Sequence, residues 1–134
     1  MTMDSEGCEV LTTPCEKIWL GKDGILRTQM LQNAKITLAL AEEGHRAYVK
    51  ASGGKKCPLL VDTRGIIFSL DREARALYSG PKGALYYTAV VILVDSPVNR
   101  IVGNFFLGLN KTAFPFKLFE SETAALEWLK QYRL

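Results

Sequence analysis

The single histidine of the chain, His45, follows Glu42 and Glu43 in "AEEGHRAY". A two-histidine metal site needs a second imidazole, and the H-E-x-x-H arrangement that would pair a zinc ligand with a general base is missing. His45 therefore reads as a solvated or half-buried helix histidine. "SGGKK", Ser52 to Lys56, has the glycines and lysines of a phosphate loop. It lacks that loop's spacing, its Lys-Ser/Thr ending and the strand that should precede it, so it reads as a helix stop and a solvated turn. Cys8, Cys15 and Cys57 form an odd set without a C-x-x-C pair, which fits reduced thiols used as small apolar fillers. No nucleophile has a base near it in sequence. The expectation is a protein that is not an enzyme and carries no cofactor.

Two stretches hold more promise. In an open α/β sheet, ligands dock beyond the carboxyl ends of the strands, where helix N-termini gather. "SLDREAR" supplies Ser69, Asp71, Arg72 and Arg75, and "SPVNRIVGNFFLGLN" supplies Ser96 and Arg100. If helices start at both places, Arg72, Arg75 and Arg100 reach one rim and could hold an anionic ligand or an acidic partner segment. The simpler reading is that Asp71 and Glu73 neutralise the arginines in surface pairs worth ~0–1 kcal/mol each.

The second stretch also has two sides. At about 100° per residue, Val98, Ile101, Val102, Phe105 and Leu109 share a face that must pack on the sheet. Phe106 lies on its flank, whereas Leu107 points nearly opposite, with Arg100, Gly103 and Asn104 around it. A glycine inside a helix costs ~1 kcal/mol against alanine, so Gly103 suggests that something approaches the backbone closely. Gly103, Asn104 and Leu107 are thus the expected interaction surface, for a protein partner or for a homodimer, the commonest oligomer.

These side chains need a scaffold, and 134 residues suffice for one domain, 1–134. The chain is 48% hydrophobic and 23% charged, which excludes a disordered polymer. Its charge of +3 is scattered, without the basic stripe of a nucleic-acid binder. The acidic start "MTMDSEGCEV" has no apolar core of a secretory signal. The longest apolar run, Ala84 to Val94, is about half the ~20 residues of a spanning helix and reads as a core strand. A cytoplasmic protein without an integral membrane segment is expected.

"EKIWLGKDGILRTQML" is a hairpin around "GKDG", with "CEVLTTP" before it as an extension bent by Pro14. Residues 1–15 are expected to be loosely ordered or an edge strand. Thr37 caps a helix with Leu38, Ala41, Tyr48 and Val49 inward, stopped by Gly53 and Gly54. "CPLLVDT" is a buried strand. A helix from about Leu70 to Tyr78 follows, capped by Ser69 or Asp71, with Leu70, Ala74 and Leu77 inward and "SGP" ending it. Then come a strand at Thr88 to Val94, the helix begun by Ser96 and Pro97, a strand at Phe116 to Phe119, and a helix capped by Ser121 with Ala125, Trp128, Leu129 and Tyr132 inward. The order β-β-α-β-α-β-α-β-α predicts an α/β fold: a mixed, mostly parallel five-stranded sheet opened by an antiparallel hairpin.

This order, together with "PLLVDTRGIIFSLDREARALYSGP" and "SPVNRIVGNFFLGLN", resembles the anti-sigma-factor-antagonist (STAS) fold from about Ile18 to the end, in particular its uncharacterised bacterial STAS/SEC14-like branch. The resemblance implies a binding or regulatory domain acting through protein contact or self-association. Its SEC14 side implies, as an alternative, a small lipid or anionic metabolite held between sheet and helices. Antagonist members carry a "DSSG" motif whose serine, at a helix start, is phosphorylated. Here Asp62 stands in the place of the aspartate that ends the preceding strand and Asp71 in that of the motif's own, but Arg72 and Glu73 stand where the serines should be. Arginine accepts no phosphate, which counts against phospho-regulation through this helix.

Overall fold

A computed structural model of the protein describes residues 2–3, 7–79, 81–95 and 113–134. Among these, the chain runs β1 (Thr2–Met3), β2 (Glu9–Thr12), β3 (Glu16–Leu20), β4 (Leu26–Met30), β5 (Lys35–Ile36), α1 (Leu38–Ser52), β6 (Cys57–Asp62) and β7 (Ser69–Leu70). It continues through α2 (Arg72–Ser79), α3 (Pro81–Tyr86), β8 (Tyr87–Leu93), β9 (Phe116–Phe119) and α4 (Glu122–Lys130). The helix expected from Ser96 onward, and with it Ser96, Arg100, Gly103, Asn104 and Leu107, lies outside the described residues.

The five expected strands lie side by side in the predicted mixed sheet, and two short N-terminal strands lengthen its antiparallel edge. The order is β1-β2-β3-β4-β6-β8-β9, with β1 to β4 antiparallel and β4, β6, β8 and β9 parallel. The β3–β4 hairpin closes through Gly21 and Gly24, whose φ of 81° is one that glycine adopts without strain. Asp23 in the same turn holds Arg27 through two bonds of 2.8 Å. Pro14 sits in the tight turn that separates β2 from β3, so "CEVLTTP" forms a strand of its own and not a continuation.

Alternation along β6 and β8 sorts the core into two layers. Leu60, Ala89, Val91 and Leu93 point to the face covered by α4, where Ala125 and Leu129 are buried. Leu59 and Val90 point the other way, toward Ile18, Leu26 and Tyr48 beneath α1. Both expected caps form: the Thr37 hydroxyl accepts from Leu40 N, and the Ser121 hydroxyl accepts from Ala124 N. Each contributes about 1 kcal/mol. Gly53, at φ 68°, ends α1 as expected.

The structure corrects one expectation, chooses between the alternatives of a second and adds to a third. The buried face of α1 is Ala41, Gly44, His45, Tyr48 and Ser52, while Val49 is exposed. Its i, i+3, i+4, i+7, i+11 pattern runs through a histidine and a glycine, which a purely apolar count passes over. Ser69 does not cap α2, because Ser69 and Leu70 pair in parallel with Lys35 and Ile36 as a separate two-stranded ribbon. The cap is Asp71, whose Oδ1 accepts from Ala74 N at 2.8 Å. Finally, "SGP" ends one helix and begins another, α3, whose Gly83 packs where a Cβ would come within 2.6 Å of the Tyr78 carbonyl oxygen.

Candidate functional site

Alternation along β3 places Glu16 on the same side as Ile18 and Leu20, toward α1. Its backbone is fixed by the preceding turn: the Thr13 hydroxyl accepts from Cys15 N and Glu16 N, and Thr13 N donates to Glu16 O at 2.9 Å. The side chain is 1% exposed. A carboxyl group at such a position is costly unless it is neutral, hydrogen-bonded or paired.

Among the described residues one hydrogen bond reaches it. The Tyr48 hydroxyl, from the buried face of α1, donates to Glu16 Oε2 at 3.0 Å. The other oxygen, Oε1, lies 2.5 Å from the point where a Cβ on Gly44 would stand, and the Tyr78 hydroxyl lies 3.7 Å from that same point. Gly44 thus allows α1 to pass over the carboxyl group. No lysine or arginine among the described residues is ion-paired with Glu16.

Burial pushes the Glu16 carboxyl up to about 7; the Tyr48 bond pulls the other way, and the Glu43 charge adds to the rise. The Tyr48, Tyr78 and Tyr87 hydroxyls are all pushed above the ordinary tyrosine range, first by burial and then by neighbouring charges that include Glu16. The Cys15 thiol rises for the same reasons, which suits the inert filler expected of it.

Glu16 opens onto a cavity of about 80 Å³ between the sheet and the α1–α2 side. About 10–15 Å³ of such space admits one water, so the cavity suits a molecule of a few heavy atoms. Its walls are almost wholly apolar: Met30 from β4, Leu59 and Val61 from β6, Val90 and Ile92 from β8. The β5–β7 ribbon brings Ile36 and Leu70 to it. Tyr48, Tyr78 and Tyr87 also line it, as do Phe114 and Phe116. The Tyr87 hydroxyl, on a residue 2% exposed, has no hydrogen-bond partner among the described residues. His45 is buried and not solvated or half-buried as expected, with its ring 5.0–5.9 Å from those of Tyr48, Tyr78, Tyr86 and Tyr87. Such centroid distances are those of favourable edge-on aromatic pairs.

The model of a domain of unknown function, DUF7793, matches residues 18–133. The chain belongs to the DUF7793 family. No curated protein matches it. Among solved structures, the chain is similar to an uncharacterised protein of the DUF3478 family with a SpoIIAA-like fold from Shewanella loihica PV-4. The two are 22% identical over 96% of this chain and 99% of that one, with a TM-score of 0.57. This DUF7793 domain therefore has the SpoIIAA-like, or STAS, fold that the residue motifs implied. It is also similar to a protein of unknown function from Arthrobacter sp. FB24, 39% identical over 90% of this chain and 96% of that one, with a TM-score of 0.35.

The rim residues expected to bind are only partly brought together. Ser69, Asp71 and Arg72 are exposed at the start of α2, and Arg75 is half-buried one turn on. Asp71 uses a carboxylate oxygen to cap its own helix. Asp62 binds Arg64 through two bonds of 2.9 and 3.0 Å. The third expected arginine, Arg100, lies outside the described residues, as does the Gly103, Asn104 and Leu107 surface. Among the described residues, no helix is long and apolar enough to cross a membrane.

Glu16, Tyr78 and Tyr87 were not singled out by sequence reasoning. The period-two pattern Glu16-Ile18-Leu20 was the available signal, since it sets a charged residue in line with two that must be inside.

Proposed function

We propose that this DUF7793 domain is a non-enzymatic binding module that holds a small, mainly apolar molecule in the cavity between sheet and helices. One observation carries this reading: an apolar chamber lined by a buried carboxyl and by Tyr87, whose buried hydroxyl has no partner among the described residues. Few convergent polar groups on an otherwise apolar lining are the usual make-up of a small-molecule site. The reading narrows the choice among ligands, because a carboxyl group at Glu16 disfavours an anionic metabolite. A regulatory role, with occupancy altering contact with a protein partner or a second copy, is compatible with the STAS fold, but the fold by itself licenses no activity.

The test is methyl NMR with isobutanol as probe. The methyl resonances of Met30, Ile36, Val61, Val90 and Ile92 should shift together and saturably. At ten times its Kd the probe should stabilise the domain by about 1.4 kcal/mol. Shifts scattered over the surface, or none at millimolar probe, would remove the reading.

A further inference from the structure

We propose that the ligand is a small amine, seated with its ammonium group against Glu16 and its alkyl body among Leu59, Val61, Val90 and Ile92. This rests on the chamber reading and gives it a chemical class. Four observations converge. Glu16 can carry a negative charge, and no basic side chain among the described residues is ion-paired with it. Tyr48 bonds Oε2, and no hydrogen bond to Oε1 is formed among the described residues, so that oxygen can still accept. Tyr48, Tyr78 and Tyr87 line the same chamber, and aromatic faces attract a desolvated cation. The Tyr87 hydroxyl is buried without a partner among the described residues and can accept from an N–H.

The alternatives fit less well. An alkanoate would set carboxylate against carboxylate. An alkanol would hydrogen-bond Glu16 without offsetting its charge. A buried ion pair is favourable only when further hydrogen bonds satisfy both partners, and Tyr48 and Tyr87 supply them.

The titratable groups around Glu16 are Glu43, His45 and Tyr48 on α1, Tyr78 on α2, Tyr87 on β8 and the adjoining Cys15. With the carboxyl titrating near 7, an incoming ammonium favours the ionised form. Binding at pH 7 should therefore release about half a proton.

The experiment compares n-butylammonium, 1-butanol and butyrate by calorimetry on the full chain at pH 8. Butylammonium should bind about tenfold tighter than 1-butanol, and butyrate more weakly than either. Glu16→Gln should bring butylammonium and 1-butanol to within about threefold while keeping 1-butanol binding. Tyr87→Phe should weaken butylammonium specifically. Wild-type calorimetry at pH 7 in buffers of different ionisation enthalpy reads the released proton and needs no variant. Equal or tighter binding of 1-butanol or butyrate, or no proton release, overturns the amine assignment and leaves the chamber reading standing. If none of the three binds, both fall.

Discussion

Replacing Glu16 with glutamine should make the domain more stable than wild type at pH 8 and change it little at pH 4.5. In the folded protein the carboxyl keeps its proton up to about 7, against an ordinary value of 4.5. Between these values the folded state binds a proton that the unfolded state has lost, so stability falls as pH rises. The contribution is fully present below about 4.5 and gone above about 7, and the gap corresponds to about 3 kcal/mol. Glutamine at this site is always neutral and loses nothing across that window. Asp23, held below the ordinary carboxylate range chiefly by its bond to Arg27, acts in the opposite sense, with stability lost as pH falls. That effect is common to both proteins and cancels in the comparison. Urea unfolding from pH 4 to 8.5 should show two curves that diverge by about 3 kcal/mol as pH rises. Parallel curves would mean that Glu16 titrates as an ordinary surface carboxyl.

Tyr48→Phe should have the next largest effect and the opposite sign. Among the described residues the lost hydroxyl is the one hydrogen-bond donor placed on Glu16, so the variant leaves a buried acceptor unsatisfied. Losing a hydrogen bond to a charged group costs about 1.5–3 kcal/mol. The loss should be greatest at pH 8, where Glu16 is ionised, and smaller at pH 5. Because the Tyr48 bond is what restrains the Glu16 carboxyl, the variant's stability should also begin to settle at a higher pH. Tyr87→Phe is the internal control: its hydroxyl is buried with no partner among the described residues, so its removal relieves an unsatisfied group and should leave stability unchanged or raise it by about 1 kcal/mol. Equal losses in the two variants would show that the cluster is held by ring packing and not by the Tyr48–Glu16 bond.

The contrast between what the sequence disclosed and what it hid follows from the range of each interaction. Thr37 and Ser121 were readable as caps because a cap is satisfied within three residues. The apolar run ending at Val94 was readable as a core strand because its neighbours in sequence decide that. The second ribbon was hidden, because Ser69 pairs with Lys35 across more than thirty residues and nothing local distinguishes it from a helix cap. The face of α1 is not legible from apolar residues alone: Val49 is apolar and His45 polar, but His45 finds aromatic rings from α2, α3 and β8 and goes inside. Glu16 was the most legible of the missed residues, since strand alternation pointed it inward. Tyr78 and Tyr87 were the least, because only the crossovers bring them beside β3. The surface built on Gly103 and Leu107 remains a proposal, tested by whether Leu107→Lys shifts a sedimentation profile toward monomer.

The most direct measurement is a carbon-13 NMR titration of the Glu16 side-chain carboxyl in the wild-type domain, assigned by its absence in Glu16→Gln. A midpoint near 7, shifted downward when n-butylammonium is added, is the predicted result. A midpoint near 4.5 that added amine leaves unchanged would contradict a buried carboxyl at the wall of a ligand chamber.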